Sequence, residues 1–393
     1  MSEAHGNEKA KDAGDAEEAQ PPKPRKPKDR PVPWKLCLPL AAAGPASLLI
    51  VPLASLAPAV VERVFSRGLY PLFAVGLHGS TGWIPLSLAE ILLASFAAAG
   101  LVLAGRAGLQ WIRKRRRPGN VLLRGVALGL AALGTFLALN ALLWGVNYGR
   151  LPLYEQAAFD NAPPSAKELR SLCEALAAET RSVRREIRED EEGVMRLEGS
   201  PRDALGRARP GFERAGDDLA WLDADAVARP KGVLLSFLLT RLGVAGFFFP
   251  ITGEPNVNLD LPASALPFTA CHEMAHALGY ASEDEANFVA YAACRAHPDA
   301  DFRYAGALTA LVYALGALRR ADRRACEALL SDLDAGVKRD LRARRRFWNR
   351  HASAVSRASA GVNDLYLRSQ GQAEGIASYG KMVDLLIAER RAP

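Results

Sequence analysis

Two histidines separated by three residues lie in the stretch "CHEMAHALGYASEDEANF", residues 271–288. On an α-helix, His272 and His276 project from the same face, where both imidazoles can bind one metal ion. Glu273 lies beside them and can act as a general base toward water. This is the H-E-x-x-H pattern, which supplies two zinc ligands and a base. The chain has only six histidines, so two at this spacing predict one catalytic Zn²⁺ site.

A catalytic zinc ion needs a third protein ligand and an open position for water. His297 precedes a proline in a polar turn, and we predict that it is exposed. Two acids are closer in sequence. Gly279 is expected to end the motif helix and Ser282 to begin the next one, where Ser282-x-x-Glu285 matches a capping box. Because capping would occupy Glu285, Glu283 is the preferred third ligand and Glu285 the alternative.

A glutamate ligand on a following helix is similar to the arrangement in gluzincin metallopeptidases, whose second motif is often E-x-x-A-D. Here residues 283–287, "EDEAN", match except for asparagine in the last position. Asn287 shares a helix face with Glu283 and could hydrogen-bond a metal ligand. The metzincin pattern fits less well, because its third histidine would fall at Ser282.

The residues before the motif helix predict a short strand. In "TGEPNVNLDLP", residues 252–262, turn residues flank an extended middle. As an edge strand, it could hold a peptide through Asn256 and Asn258, or it could be a plain polar edge. Amide hydrolysis also needs a donor to the oxyanion. The sequence leaves several donors open: Tyr280, Tyr304, Tyr379, Asn363 and Arg303.

The composition separates apolar from polar blocks. Hydrophobic residues make up 49 % of 393 and charged residues 24 %, with a net charge of +7. The basic residues lie beside apolar runs, which predicts a bilayer as partner and no nucleic acid. The five cysteines show no C-x-x-C spacing, which argues against a zinc ribbon.

Three apolar segments, at about 36–61, 83–105 and 121–146, are each long enough to cross a bilayer. They predict a membrane domain over 34–147 with three transmembrane helices. Residues 1–33 are charged and proline-rich, which predicts a disordered tail. Lysine and arginine are concentrated in this tail and in the 106–120 loop, which contains "RKRRR". Both are therefore expected in the cytoplasm, and residues 148–393 on the outer face.

We predict a mainly α fold, in which the membrane helices precede a mostly helical, zincin-like hydrolase domain with a small sheet. Within it, residues 232–250 predict a helix and a strand, either in the core or at the outer membrane interface. Residues 304–318 are apolar all round but short, which favours a buried core helix.

The chain also resembles an uncharacterised bacterial membrane family, domain-of-unknown-function family 3810, over about residues 60–388. The matching pieces are "VFSRGLYP", "WGVNYGRLPL", "FPITGEPNVN", "FTACHEMAHALGYASEDEANFVAY", "FRYAGAL" and "NDLYLRSQGQAEGIASYGKMVDLLI". The resemblance implies a zinc hydrolase with N-terminal spans in the bacterial cytoplasmic membrane, and it supplies no substrate. Glu90 departs from it, since aspartate is expected there.

These patterns together favour a membrane-anchored zinc metallopeptidase acting on envelope or membrane-proximal proteins. Two alternatives remain open: a catalytically silent sensor or scaffold that keeps the fold, and a zinc amidase acting on cell-wall peptide. An intact Glu273 argues against the sensor, because a purely structural site does not need a base.

Overall fold

The computed structural model describes residues 31–113, 118–224 and 226–392. The described chain is mainly helical and contains one small sheet, in agreement with the predicted class. Most of the predicted disordered tail, residues 1–33, and of the basic run in the 106–120 loop lies outside the described residues.

The N-terminal part of the described chain consists of consecutive helices. They are α1 (Trp34–Ser47), α2 (Ile50–Ala54), α3 (Pro58–Val60), the π-helix Val61–Leu69, α4 (Tyr70–Thr81), α5 (Leu88–Ile112), α6 (Pro118–Leu143) and the 3₁₀ helix Gly145–Gly149.

The prediction of three spans is wrong, because only two helices of the described chain are long and apolar enough to cross a bilayer. These are Leu88–Gln110 of α5 and Val121–Leu143 of α6. The predicted span at 36–61 is divided instead into α1, α2 and α3. Prolines explain the division. Pro52 has no N–H to donate to the Leu48 carbonyl, so the helix is interrupted between α1 and α2. Pro58 is the first residue of α3, after the gap that follows α2.

The side chains of the two long helices are largely exposed. Only 6 % of the apolar window of α5 and 22 % of that of α6 is buried. A core helix of a soluble protein would be covered, so this exposure indicates association with a membrane. On α6, Gly134 packs against Gly44 of α1 so closely that a Cβ at Gly44 would lie 2.9 Å from the Gly134 Cα atom. Such small-residue contacts are typical of helix pairs in lipid.

The remainder of the chain forms a helical domain. Its elements are α7 (Leu153–Gln156), α8 (Ala166–Arg184), α9 (Pro201–Gly206), α10 (Arg209–Asp218), β1 (Lys231–Val233), α11 (Ser236–Leu242), β2 (Gly246–Phe249), β3 (Glu254–Asn258), α12 (Leu266–Ala277), α13 (Glu283–Ala296), α14 (Ala300–Ala321), α15 (Arg323–Asp332), α16 (Ala335–His351), α17 (Ala354–Ser369), the 3₁₀ helix Gly375–Lys381 and α18 (Met382–Arg391).

The core of this domain surrounds α12, α13 and α14. Every residue of α12 is buried, and α14 covers the predicted core segment 304–318, whose aliphatic side chains join the same hydrophobic cluster. The segment 232–250 forms β1, α11 and β2, so the predicted helix and strand are both present. A helix with no exposed residue has its position fixed by packing on all sides.

The sheet has the order β1-β3-β2. β1 pairs in parallel with β3, and β2 pairs antiparallel with it, so that Gly246 lies opposite Val257. The predicted strand therefore exists as β3, but the prediction that it is an edge strand is wrong. It is the central strand, because 232–250 contributes a neighbour on each side.

The start of α5 is attached to this sheet. The Glu254 carboxylate accepts hydrogen bonds from the backbone N–H groups of Leu88 (3.2 Å) and Ala89 (2.8 Å), and it is also paired with buried Lys231. An acid at this place satisfies unpaired N–H groups of the first helical turn. The sheet of the helical domain thus lies at the start of α5, at the opposite end of the helix from Arg113.

Candidate metal centre

Three side chains predicted as ligands converge at one point. His272 Nε2 and His276 Nε2 are 3.1 Å apart, and Glu283 Oε2 lies 3.2 Å from the first and 3.5 Å from the second. All three residues are buried. The predicted helix ends produce this arrangement, since α12 ends near Gly279 (φ +88°) and α13 begins after Ser282. The reversal brings the first residue of α13 back to the histidine face of α12.

The spacing of these three atoms fits a tetrahedral ion. Ligand atoms about 2.0–2.1 Å from zinc, at tetrahedral angles, lie about 3.3 Å from one another. The three measured separations bracket this value. Glu283 Oε2 is buried and has no hydrogen-bond partner among the described residues. A buried carboxylate oxygen without a partner is costly unless a cation neutralises it.

The backbone determines which nitrogen of His276 is available to a metal. Its Nδ1 atom lies 2.8 Å from the carbonyl oxygen of Tyr280. A carbonyl can only accept, so Nδ1 carries a proton and Nε2 is the nitrogen that could bind a metal. Tyr280, predicted as a contact of the ligands or substrate, contributes through this backbone oxygen. Its hydroxyl points away from the ligands and donates to the carbonyl of Trp221.

Glu273 is buried next to the ligands. Its Oε2 atom has no hydrogen-bond partner in the described chain, and its Oε1 side faces Gly246 on β2. A Cβ atom at Gly246 would lie 2.6 Å from Oε1, so only glycine leaves room for this carboxylate. Burial raises the pKa of Glu273 to about 8, with His276 acting in the opposite direction.

The ligands have shifted pKa values as well. Burial lowers the pKa of His276, but the charge and hydrogen bond of Glu283, the charge of Glu273 and the Tyr280 carbonyl together outweigh it and raise the value to about 9. Burial conversely raises the pKa of Glu283, and the two histidines outweigh it and lower the value to about 2. Titratable groups shifted in opposite directions within one buried cluster are characteristic of functional sites.

Glu285 does not form the predicted capping box. Ser282 is the N-cap of α13, as predicted, but its side chain makes no capping bond. The Glu285 Oε1 atom instead accepts a 2.6 Å hydrogen bond from the backbone N–H of Leu153. Glu283 therefore lies at the histidines and Glu285 does not, although the reason predicted for the difference was wrong.

The two strand asparagines make their hydrogen bonds inside the protein. Asn256 accepts from Ser87 Oγ (2.6 Å), and Asn258 donates to Thr240 Oγ1 (2.9 Å). Both are fully buried. The edge strand beside Glu273 is β2, which carries Gly246 and which the sequence argument did not connect with substrate.

Asn287 lies next to His272 and raises its pKa, against the larger lowering by burial. Its Nδ2 group donates to the carbonyl of Tyr379 (3.0 Å). The predicted position of Asn287 behind the ligands thus agrees with the structure. His297 was predicted to be exposed, which is wrong: its ring is buried and stacks on Phe302 at 3.9 Å.

Among the five predicted oxyanion donors, Tyr379 is the one whose hydroxyl interacts with a predicted ligand. Its ring stacks on His272 with centroids 6.1 Å apart, and its hydroxyl interacts with Glu283 and Asn363. Burial raises the pKa of Tyr379 well above its ordinary value, so the hydroxyl keeps its proton. The other donors bond elsewhere: Tyr304 to Asp340, and Arg303 to Glu186.

Residues before 151 hold the end of α12, and the sequence argument assigned them no role. Trp144 Nε1 donates to the carbonyl of His276 (3.0 Å), the Tyr70 hydroxyl to that of Ala277 (2.8 Å) and Arg150 to that of Gly279 (3.1 Å). These bonds add side-chain donors at and just beyond the last turn of α12, where carbonyls lose their regular helical partners. The signal was available, since all three donors lie within the quoted pieces "VFSRGLYP" and "WGVNYGRLPL".

A buried ion pair fixes one of these donors. Arg150 binds both carboxylate oxygens of Glu62 at 3.0 Å, and its guanidinium lies 4.5 Å from the centre of the Tyr280 ring.

Tyr148 and Tyr366 are further residues near the site that the sequence argument missed. Their hydroxyls interact with each other and with the charge of Glu283.

The comparison with protein families identifies the chain. The model of the family described as "Protein of unknown function (DUF3810)" matches residues 65–387, which is most of the chain, so this protein belongs to that family. No curated protein and no solved structure matches the chain.

Proposed function

We propose that this protein is a membrane-anchored zinc metallopeptidase that hydrolyses peptide bonds of envelope or membrane-proximal proteins. The observation that carries the proposal is the triangle of His272 Nε2, His276 Nε2 and Glu283 Oε2, with separations of 3.1–3.5 Å. The buried carboxyl group of Glu273, which no structural bond occupies at Oε2, lies beside it. A purely structural zinc site would need a fourth ligand and no such base.

Each residue has a distinct part in this mechanism. Zinc, when bound, supplies a Lewis acid that polarises a carbonyl and lowers the pKa of water. Glu273 takes a proton from the attacking water and returns it to the leaving amine. Tyr379 donates a hydrogen bond to the developing oxyanion. β2, as the edge strand next to Glu273, offers backbone groups to an extended peptide.

The proposed orientation places the site on the outer face of the membrane. α5 starts at the sheet, and the basic 106–120 loop lies at its other end, about 37 Å away for a helix of 25 residues. Basic loops stay in the cytoplasm. With α5 and α6 as the two crossings, the helical domain then lies outside the cytoplasm. The chain before α5 then lies on the same side, so the cytoplasmic tail predicted from three spans does not fit this orientation.

The test combines metal analysis with cleavage by the full-length protein in lipid nanodiscs. We expect one zinc ion per chain, cleavage of a proteome-derived peptide library by wild type, and no cleavage by Glu273→Gln with zinc still bound. Zinc without any Glu273-dependent cleavage of peptides would favour the sensor; cleavage only of cell-wall peptide amides would favour the amidase. Absence of metal in wild type and in His276→Ala alike would refute all three.

A further inference from the structure

The segment around α11 exposes large apolar side chains. Leu234 is 56 % exposed and Phe237 49 %. The whole set comprises Leu234, Leu235, Phe237, Leu238 and Leu242. So many exposed large side chains within nine residues are unusual on a surface that faces water.

Helix α17 continues this surface. Val355, Val362 and Leu365 are each more than half exposed, and their spacing of seven and three residues places them on one helix face. Leu367 is the only buried residue of this helix. The two helices meet where a Cβ at Gly243, the residue after α11, would lie 3.4 Å from Ser356 Cβ. We call the surface formed by these exposed side chains of the α11 segment and of α17 the α11–α17 face.

The α11–α17 face is continuous with a candidate span. Glu90, in the first turn of α5, accepts hydrogen bonds from the backbone N–H groups of Leu234 (2.8 Å) and Leu235 (2.7 Å). The apolar surface of α5 that begins there is itself uncovered. Because the two apolar surfaces are continuous, the acyl chains of one bilayer can cover both of them.

A cationic side chain accompanies the α11–α17 face. The Arg241 guanidinium lies 6.0 Å from the centre of the Phe237 ring. Arginine next to exposed apolar residues matches the phosphates of anionic lipids. A second copy of the chain would present the same arginine at its own α11–α17 face and so would not match this charge.

We propose that the α11–α17 face lies in the bilayer that contains α5 and α6, with its apolar side chains among the acyl chains and Arg241 at anionic headgroups. The helical domain is then partly embedded and is not held to the membrane by the spans alone. This inference rests on the membrane location of the two spans. It does not depend on peptidase activity, and its test measures none.

Depth of nitroxide labels provides the test. The full chain carries Leu238→Cys, Val362→Cys or, as control, Arg170→Cys on the charged surface of α8, each labelled in vesicles that contain phosphatidylglycerol. All five native cysteines are buried, so labelling is directed to the introduced one. We expect collisions with lipid-soluble oxygen to exceed those with an aqueous nickel chelate several-fold at 238 and 362, and the reverse at 170.

Two results would overturn the proposal. Collisions with nickel at both 238 and 362 would place the face in water. Shielding from both reagents would mean that a second copy or another protein covers it. The charge component is tested with the variant Arg241→Gln. It should reduce the label depth at 238 in phosphatidylglycerol vesicles but not in phosphatidylcholine vesicles, and an equal effect in both would refute the anionic contact.

Discussion

The side chains of Glu283 and Glu285 belong to the same helical turn but have different partners. Residues two positions apart on a helix do not share a face. Glu283 is directed to the two histidines, whereas Glu285 accepts a hydrogen bond from Leu153 N–H. The first is thus available to a metal, and the second joins α13 to α7.

This difference predicts unequal effects of matched substitutions. Glu283→Gln should weaken zinc binding by more than about 100-fold, because a ligand contributes more than the outer-shell groups whose loss costs about 10–100-fold. Glu285→Gln keeps an acceptor for Leu153 N–H and should change zinc affinity less than about 10-fold. Competition titrations with a chromogenic chelator would measure both. The opposite ranking would assign the third ligand to Glu285.

A phenol in contact with the ligands can act on the reaction without binding the metal. Tyr379 stacks on His272, and its hydroxyl interacts with Glu283. Since burial raises its pKa well above the ordinary value, the hydroxyl is a hydrogen-bond donor across the neutral range.

Tyr379→Phe should therefore lower kcat by about 10²–10³-fold, the usual cost of one oxyanion donor. Zinc content and KM should change little, because the hydroxyl acts on the transition state. The matched control is Tyr280→Phe, whose lost hydroxyl bonds Trp221 away from the ligands. Equal kcat values for the two variants would exclude Tyr379 as the donor.

At the scale of elements, the end of α12 depends on donors that precede α7 in the chain. Tyr70, Trp144 and Arg150 bond three carbonyls at or just beyond its last turn. His276 lies in that turn, so the donors also restrict the position of a metal ligand. The Glu62–Arg150 pair is buried, and removal of one partner leaves a charge without compensation.

Arg150→Met should accordingly lower the free energy of unfolding by about 3–5 kcal/mol, the range for breaking a buried pair. It should also weaken zinc binding, since the Gly279 carbonyl loses its donor. Arg170→Met, which breaks the exposed Arg170–Glu174 pair, is the matched control and should cost about 0–1 kcal/mol. Denaturant unfolding and zinc titration of both variants in detergent would check this. Similar losses in the two variants would show that the bonds of Arg150 to Glu62 and to the Gly279 carbonyl contribute no more to stability or zinc binding than an exposed ion pair does.

On the scale of the whole molecule, the membrane segments and the helical domain share contacts at the site. The predicted boundary at 147/148 separates Tyr70 and Trp144 from the carbonyls that they bond. It also separates Glu254 from the start of α5, whose N–H groups it caps. A cut there removes partners of buried polar groups on both sides.

A fragment of residues 148–393 should therefore bind zinc at least about 10-fold more weakly than the full chain, the lower limit for losing groups that support metal ligands. Isothermal titration of the soluble fragment and of the full chain in nanodiscs gives the comparison. Full-length affinity in the fragment would show that the helical domain forms the site alone.

The spacing of the histidines, the turn after α12 and the start of α13 could all be predicted from the sequence, because each depends on neighbouring residues. Histidines at positions i and i+4 share a face in any helix, glycine at 279 permits positive φ, and Ser282 begins a new helix. These local rules place His272, Glu273 and His276 on one helix and predict the turn that returns Glu283 to the two histidines. Length and apolar content likewise predict α5 and α6 as candidate spans, because the fit of a helix to a bilayer depends on its own residues.

Only the tertiary structure decided what each group bonds. β3 is central because β1 pairs with it on the side opposite to β2, and Glu285 bonds Leu153 because α7 is packed there. β1 and Leu153 both lie far in sequence from their partners, and the alternatives of an edge strand and a capping box are equally good local solutions. The first apolar segment was also mispredicted from local features. Its composition is apolar enough for a span, but its prolines divide it into short helices, which pack against α6 and the 3₁₀ helix Gly145–Gly149. The partner of each polar group and the packing of each helix depend on the whole fold, whereas the sequence shows only which groups need a partner.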